Sequence, residues 1–329
     1  MKRSLVSNSV FRIHSRCPLH VDKTVWGLSD LATISDEGSD LCTKGFDCDV
    51  WQENGYRARV TPCGLVYLDP RPPDETSEWM LEKHADGYYT IPAKLRLQWI
   101  KDFHRGGRLL EVGCGRGHFL AAARREGFEV AGIDPDVESV HYALEKYGIT
   151  VERNTIEESQ LPEQRFEVVY HVDLLSHFPD PIRALRSMAA RVGPGGHVCF
   201  EVGLTGGNSR AWYQWEGRLG FPEHRWLYSE SALRSLLQCA GLQLVRLQKF
   251  GLLADLLLLR FRGLIWPLVR RCGIPDPRQR TPEAHASRLY LLYAWLQFIL
   301  RYRIGRFVLG VGPHTAFVAA RPVSQLDMR

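Results

Sequence analysis

The sequence lacks a long uninterrupted apolar run. Its N-terminal stretch, MKRSLVSNSVFRIHSR, contains no apolar segment of the length that a secretory signal peptide needs. Farther along, arginines interrupt each apolar stretch before it reaches the roughly 20 residues that cross a bilayer. We therefore expect a soluble, cytoplasmic protein rather than a secreted or membrane-spanning one.

Cysteine and strong net charge are also scarce. The eight cysteines are too few in 329 residues for the disulfide scaffold of a secreted protein. The net charge of +5 is small, and no long basic stripe is interleaved with aromatic residues, so we expect no nucleic-acid partner. With 45% hydrophobic and 24% charged residues, the composition is that of an ordinary globular protein with a sizeable core.

The chain divides into zones of different character. Residues 1–75 are rich in Asp, Ser, Gly, Cys and Pro, and we expect an irregular segment there. Residues 76–248 begin with a helical stretch and continue with alternating strand-like and helix-like patterns. Residues 249–312 are strongly apolar and studded with arginine, and residues 313–329 contain one more strand, HTAFVAARP.

The alternation in the second zone predicts the fold class. Short apolar strands are separated by amphipathic helices such as GHFLAAARREG and DVESVHYALEKYG. This order predicts an α/β protein with a parallel sheet and helices on both faces, and a ligand site at the carboxyl ends of the strands. The strands are RLLEV, FEVAGID, FEVVYHVD, HVCFEVG and LQLVRLQKF.

Three glycines at alternate positions follow the first of these strands, in LLEVGCGRGHF. Gly113, Gly115 and Gly117 permit positive φ angles and let a ligand lie against the main chain. The unpaired amides at the start of the next helix suit a carboxylate. Asp134 ends the second strand, where a carboxylate can accept both hydroxyls of a ribose. The loop and the acid together predict a cofactor that contains a nucleoside.

Two cofactor classes compete for this loop. A nicotinamide dinucleotide fingerprint requires the spacing Gly-x-Gly-x-x-Gly. Here the spacing is Gly-x-Gly-x-Gly, preceded by Glu111, and EVGCGRGHF resembles motif I of class I S-adenosylmethionine-dependent methyltransferases. An NAD-dependent oxidoreductase therefore stays the weaker alternative, and a catalytically inactive methyltransferase-fold binding protein is a third.

The resemblance covers residues 60–248 and extends more loosely to residue 321. FEVVYHVDLLSHFPDPIRALRSMAARVGPGGHVCFEV is similar to the family's segment from motif IV to its PGG turn, although Ser176 stands where that family often has Glu. The resemblance implies a Rossmann-like, seven-stranded methyltransferase sheet with helices on both faces and an antiparallel last strand. From the apolar, arginine-rich residues 249–312 we expect in addition a C-terminal helical cap insertion. The residues that match are Asp173, His177, Pro179, Asp180 and Pro181.

The same resemblance implies which positions contact S-adenosylmethionine. The glycine loop would wrap the methionine part, Asp134 would hold the ribose, and Tyr89 or its neighbour Tyr88 would close over the cofactor. Other positions would border the adenine edge or the methionyl group. The full set is Tyr89, Glu111, Gly113, Cys114, Gly115, Gly117, Asp134, Pro135, Thr155, Ile156, His171 and Asp173.

Methyl transfer by in-line displacement at a sulfonium depends mainly on positioning, and a base helps when the acceptor is a hydroxyl. His177 follows the fourth strand of the expected sheet, and His224 lies in the insert before the next helix. Both are candidates for this base. Alternatively, His177 anchors its loop by hydrogen bonds and His224 shapes the substrate pocket.

The N-terminal cysteines raise a metal question. Related bacterial methyltransferases often begin with a zinc knuckle, and here Cys17, His20 and Cys63 could supply three of its ligands. Val60 stands where the family has a further cysteine, so a degenerate knuckle without zinc is the alternative.

The arginine-rich zone suggests a partner. Apolar stretches bordered by arginine, between residues 250 and 310, suit the interface of a membrane. The alternative is a helical cap over the substrate pocket, and the two can coexist. We expect a small-molecule or lipid-linked acceptor.

Overall fold

The structure of the protein is a computed structural model. It describes residues 46–53, 55–60, 64–69, 72, 86–163, 165–205, 222–251, 288–304 and 314–323. In chain order, the strands are β1 (Phe46–Glu53), β2 (Tyr56–Val60), β3 (Val66–Asp69), β4 (Gly107–Val112), β5 (Phe128–Ile133), β6 (Val151–Glu152), β7 (Phe166–Val172), β8 (Val192–Leu204), β9 (Trp226–Leu227), β10 (Leu242–Gly251) and β11 (His314–Pro322). The helices are α1 (Asp86–Lys101), α2 (His118–Arg125), α3 (Val137–Tyr147), α4 (Pro181–Arg191), α5 (Glu230–Cys239) and α6 (Arg288–Ile299), which a π-helical turn (Leu300–Ile304) continues.

The main sheet has seven strands in the order β10-β11-β8-β7-β4-β5-β6. The pairs among β4 to β8 are parallel, whereas β11 runs antiparallel to both β8 and β10. The predicted Rossmann-like methyltransferase sheet, with its antiparallel last strand, is confirmed. The chain proceeds outward from β4 to one edge and then returns to β7 on the other side of β4. This reversal opens a crevice at the carboxyl ends of β4 and β7.

Local sequence determines where the helices begin and end. Asp136 precedes α3 and accepts the amide of Ser139 at 2.8 Å, and Gly148 ends the same helix with a φ of 61°. Asp180 precedes α4 and accepts two amides of its first turn, while Pro181 takes the first helical position. Such acceptors satisfy amides that a helix start leaves unpaired, and proline has none to satisfy there.

The core covers both faces of the sheet. Leu109 and Leu110 are neighbours on β4, so their side chains point to opposite faces, yet both are fully buried. Each belongs to a different apolar cluster, and Val168 and Val169 on β7 divide in the same way. Parallel strands that are covered on both faces consist of nearly continuous apolar residues, as these do.

A second, four-stranded antiparallel sheet has the order β1-β2-β3-β9. Its first three strands lie within residues 1–75, so the expectation of an irregular segment is wrong for β1, β2 and β3. These strands are short and rich in polar residues, and β3 pairs with β9, which is distant in sequence: Val66 lies opposite Leu227 and Tyr67 opposite Trp226. The pairing therefore leaves little local trace in the sequence.

The helix α6 and its π turn come from the arginine-rich zone and pack against the core. Ala294, Phe298 and Tyr302 are buried, and the Tyr302 ring lies 4.9 Å from that of Trp99 on α1. Residues 252–287 and 305–312 of the expected cap insertion lie outside the described residues. In the part of the chain that the structure describes, no helix is long and apolar enough to cross a membrane.

A buried ionic cluster fastens this helix to the sheet. Both oxygens of the Glu201 carboxylate, on β8, bind the guanidinium of Arg96, at 2.8 and 3.1 Å. The Tyr302 hydroxyl donates to the same carboxylate at 2.7 Å. Glu201 is 1% exposed and Arg96 15%, so each charge depends on the other for compensation.

We predict that Glu201→Gln will lower the free energy of unfolding by about 3 kcal/mol, because it leaves the Arg96 guanidinium buried without its counter-ion. Chemical denaturation gives this value. The matched control is Glu167→Gln, whose partner Arg108 is 3.1 Å away in a pair with both side chains 35% exposed. Such pairs contribute only about 0.2–1 kcal/mol. Equal losses in the two variants would contradict the role assigned to Glu201.

Candidate cofactor site

The glycine loop after β4 has positive φ angles, which residues other than glycine rarely adopt. Gly113, Gly115 and Gly117 have φ angles of 66°, 50° and 75°. The amides of Gly113 and Cys114 donate to the carbonyl of Ile133 at 2.7 and 3.2 Å, which ties the loop to the end of β5. The loop thus follows a fixed path at the mouth of the crevice.

The loops after β4 and β7 touch at Gly113. A Cβ atom at this residue would lie 2.3 Å from the Cδ1 atom of Leu174, which is closer than real side chains approach. Leu174 belongs to the loop that carries His177, whose amide donates to the Leu174 carbonyl at 2.9 Å. The glycine loop and the candidate base therefore border the same crevice.

The start of α2 is suited to an anion. Gly117 occupies the capping position, no side chain caps the helix there, and its first turn contains no acidic residue. Helix N-termini present amides and partial positive charge. This end of α2 fits the carboxylate of the methionine part of the cofactor.

Asp134 is held in place by the main chain. Its Oδ2 atom accepts the amide of Gly115 at 2.7 Å and its Oδ1 atom accepts that of Asp136 at 2.9 Å. The side chain is 7% exposed, and burial raises its pKa, although these two hydrogen bonds act in the opposite direction. Each carboxylate oxygen can accept a second hydrogen bond, so the group fits the two hydroxyls of a ribose.

Glu111, at the end of β4, is an acid with an unsatisfied atom. It is 3% exposed, and its Oε2 atom has no hydrogen-bond partner among the described residues. Burial raises its pKa well above the usual value, while the Arg96 charge opposes this shift. An ammonium group beside the carboxylate would satisfy the atom and lower the pKa. The residues present therefore fit the amino acid end of S-adenosylmethionine.

Aromatic rings surround the first residue of α2. The Tyr89 ring of α1 stacks on that of His118, with centroids 5.1 Å apart and an interplanar angle of 4°. The Nδ1 atom of His118 lies 2.8 Å from the hydroxyl of Tyr147. Tyr89 thus lies beside the glycine loop, where the sequence places it, whereas the side chain of Tyr88 is outside the described residues.

The remaining predicted cofactor residues divide into accessible and enclosed ones. Pro135 and Thr155 are exposed near the ends of β5 and β6. Cys114 is buried, and burial raises the pKa of its thiol well above the usual value, which fits a small loop residue and not a nucleophile. These positions stay predictions.

Two predicted contacts need correction. The side chain of His171 is 0% exposed and stacks on the Phe200 ring at 4.8 Å, and that of Ile156 is 1% exposed within the core. Neither side chain can touch a cofactor in this arrangement. Burial also lowers the pKa of His171 to about 3, so it is a neutral core residue.

The structure brings the two candidate bases together. The ring centroids of His177 and His224 are 4.9 Å apart. The Nδ1 atom of His177 lies 2.9 Å from the Glu223 carbonyl, an acceptor, so Nδ1 carries the proton and Nε2 the lone pair. Burial, and secondarily the charge of His224, lower the pKa of His177 to about 4. The ring is therefore neutral near pH 7.

The same region shows that His177 also belongs to an anchored loop. The amide of Arg225 donates to the Ser176 carbonyl at 2.7 Å, and the indole of Trp226 donates to the Phe178 carbonyl at 2.8 Å. The hydroxyl of Tyr228 donates to the Leu175 carbonyl at 3.1 Å. The alternative role as a loop anchor and the role as a base are thus compatible.

Asp173 ends β7 in an unusual conformation. Its φ of 53° makes it the only residue other than glycine with positive φ among those described, and its amide donates to the Glu201 carbonyl at 3.0 Å. Asp173 as a residue is exposed, but the surrounding protein removes part of the hydration of its carboxylate. This desolvation and the Glu201 charge raise its pKa to about 6, against the opposing charges of Arg96, Arg301 and His224.

The zinc ligands predicted at Cys17, His20 and Cys63 lie outside the described residues. Among the residues that the structure does describe, no three His, Cys, Asp or Glu side chains are grouped so that they could hold a metal ion.

Comparison with known proteins identifies the family. The profile of the family described as "Methyltransferase domain" matches residues 82–247. The chain belongs to this methyltransferase-domain family. The predicted class I S-adenosylmethionine-dependent methyltransferase is thereby confirmed, and the nicotinamide alternative is not favoured.

Two relatives are ubiquinone biosynthesis O-methyltransferases. That of Proteus mirabilis is 36% identical over 145 residues, and that of Serratia proteamaculans is 37% identical over 146 residues. Each alignment covers 41% of this chain and 58% of the relative, so the chain matches little more than half the length of these methyltransferases.

Among solved structures, phosphoethanolamine N-methyltransferase 2 of Haemonchus contortus superposes with a TM-score of 0.47 at 19% identity, over 70% of this chain and 52% of that one. A methyltransferase of Thermotoga maritima superposes with a TM-score of 0.40 at 23% identity, over 50% and 77%.

We predict that Gly113→Ala will weaken S-adenosylmethionine binding at least about tenfold, equivalent to ~1.4 kcal/mol, because its Cβ would displace Leu174 and the loop. Gly148→Ala is the matched control, since its φ is 61° but no atom lies within 4 Å of the added Cβ. Both variants should lose about 1 kcal/mol of stability from the left-handed backbone. Titration calorimetry that gives equal affinities for the two would refute the proposed tight contact.

We predict that Asp134→Asn will weaken S-adenosylmethionine binding by about 1.5–3 kcal/mol, because a ribose hydroxyl loses a charged acceptor. Burial raises the pKa of Asp134, so the parent's affinity should fall, as the pH drops, at a pH above that of an ordinary Asp. The Asn variant should lack the part of this fall that protonation of Asp134 causes, while protonation of Glu111, whose pKa burial also raises, still lowers the affinity at acid pH.

Asp136→Asn is the control for Asp134→Asn, because asparagine caps a helix as well as aspartate does. It should bind S-adenosylmethionine like the parent. If calorimetry finds parental affinity for Asp134→Asn as well, the assignment of the ribose contact fails.

Proposed function

We propose that the protein transfers a methyl group from S-adenosylmethionine to a hydroxyl oxygen of a small or lipid-like acceptor. The contact between Gly113 and Leu174 carries this proposal, because it brings the cofactor loop against the loop with the histidine pair. The names of the relatives, which are O-methyltransferases, support oxygen as the receiving atom.

The bound cofactor supplies a methyl group on a sulfonium, whose thioether leaves without protonation. The chain therefore has two tasks, which are to align the acceptor and to take up its proton. The cofactor, which is the methyl donor, would be bound by Gly113 to Gly117, Asp134 and Glu111. The loop of residues 173–178, braced by residues 223–228, forms the acceptor side.

We assign proton uptake to His177, in contact with His224. The Glu223 carbonyl fixes the Nδ1–H tautomer of His177, which leaves the Nε2 lone pair as the basic site. A pKa of about 4 keeps this ring neutral near pH 7. The charge of His224 lowers the pKa of Asp173, against the desolvation that raises it to about 6.

We predict that His177→Gln will lower kcat by about 10²-fold or more, the usual contribution of a general base, and will leave the Kd of S-adenosylmethionine unchanged. The assay follows labelled methyl transfer to phenols with and without an alkyl tail, and to the corresponding anilines. His141→Gln is the control, because this exposed residue pairs with Glu145 on the surface of α3.

Two outcomes would contradict the proposed function. Tight cofactor binding without transfer to any phenol or aniline would favour a binding protein over an enzyme. Transfer to anilines but not to phenols would overturn oxygen as the receiving atom. An unchanged kcat in His177→Gln would refute the assignment of the base alone.

A further inference from the structure

The helix α6 presents large apolar side chains to solvent. Leu292, Trp295 and Leu296 are 58%, 47% and 39% exposed. They make up half of the strongly exposed large apolar residues among those that the structure describes. Their spacing places them on one face of the helix, and clustered apolar exposure of this kind marks an interaction surface.

The opposite face of α6 is fixed to the core. Ala294, Phe298 and Tyr302 are 1%, 6% and 2% exposed, and the Tyr302 hydroxyl binds the buried carboxylate of Glu201 at 2.7 Å. The helix therefore cannot turn its apolar face inward without breaking this cluster. The packing of α6 against the core therefore keeps Leu292, Trp295 and Leu296 exposed to solvent.

Arginine stands at both ends of this helical segment in the sequence. Arg288 begins the helix and Arg303 lies near the end of its π turn, while residues 288–304 contain no acidic residue. Ten of the chain's 42 basic residues fall within residues 260–306, against only two of its 37 acidic ones. The guanidinium of Arg303, which is exposed, donates to the Gln98 side chain at 2.7 Å and so stays beside α1.

We propose that α6 binds an anionic membrane surface, lying in the plane of the interface with Leu292, Trp295 and Leu296 among the head groups. Apolar side chains, an indole and arginines without acids match the requirements of such an interface. The arginines would meet acidic phospholipids, and each near the surface contributes about 1 kcal/mol. With 12 residues, α6 lies on the membrane and does not cross it.

A second copy of the chain fits this face less well. In a two-fold interface the same patch faces itself, so the arginine-bearing ends of two α6 helices would meet. No acidic residue between positions 288 and 304 could offset that repulsion. The negative charge of an acidic lipid surface would instead attract these arginines. This inference goes beyond methyl transfer and does not depend on the acceptor.

The test is flotation of the full-length protein with vesicles of phosphatidylcholine containing about 30% phosphatidylglycerol, a mixture that provides the acidic charge which the arginines need. We expect the parent to float with these vesicles and not with pure phosphatidylcholine. Leu292→Glu should lower the bound fraction at least about tenfold, because it puts an acid at the centre of the inserted face.

Leu144→Glu is the matched control, since Leu144 is 52% exposed on α3 and the substitution is the same. It should float like the parent. The Kd of S-adenosylmethionine should be parental in both variants, which shows that they fold and separates this test from that of the enzymatic function.

Four outcomes would overturn the proposal. They are failure of the parent to float, equal flotation with neutral vesicles, equal losses in Leu292→Glu and Leu144→Glu, and a parental dimer in gel filtration that only Leu292→Glu dissociates. The last would assign the face to a second copy.

Discussion

The hydrogen bond from the Gly115 amide to the Asp134 carboxylate fixes the geometry on which the cofactor site depends. It joins the loop after β4 to the end of β5 at 2.7 Å, and the Ile133 carbonyl holds the same loop through two further amides. The loop can follow this path only because residue 113 is glycine, since a Cβ atom there would overlap Leu174. The glycine that leaves room for a ligand at this loop thus also lets the ends of β4, β5 and β7 meet.

Glu201 organises the other half of the crevice. Its carbonyl accepts the amide of Asp173 at 3.0 Å, and its carboxylate binds Arg96 of α1 and Tyr302 of the C-terminal insertion. One residue of β8 therefore fixes the turn at the end of β7 and anchors the insertion. Its charge acts on Asp173 as well, so the electrostatics of the acceptor side depend on elements far apart in sequence.

The sequence predicts the features that are local. Apolar strands, the helices within GHFLAAARREG and DVESVHYALEKYG, and the glycine loop all lie where the patterns place them. Features that depend on distant pairing were missed, such as β3, which pairs with β9, and the bond between Arg96 and Glu201 across 105 residues. His171 was misassigned for another reason: both faces of β7 are apolar, so no alternation shows which side chains reach the crevice.

The charges around the histidine pair bear on the nature of the acceptor. Arg225 acts on His177, while Arg96 and Arg301 act on Asp173, and desolvation pushes both titrating groups toward their neutral forms. The Glu201 charge raises the pKa of Asp173 and the arginine charges lower it, so charges of both signs act on the acceptor side. The proposed hydroxyl acceptor is neutral, so it adds no charge to this balance before its oxygen takes the methyl group and gives up its proton.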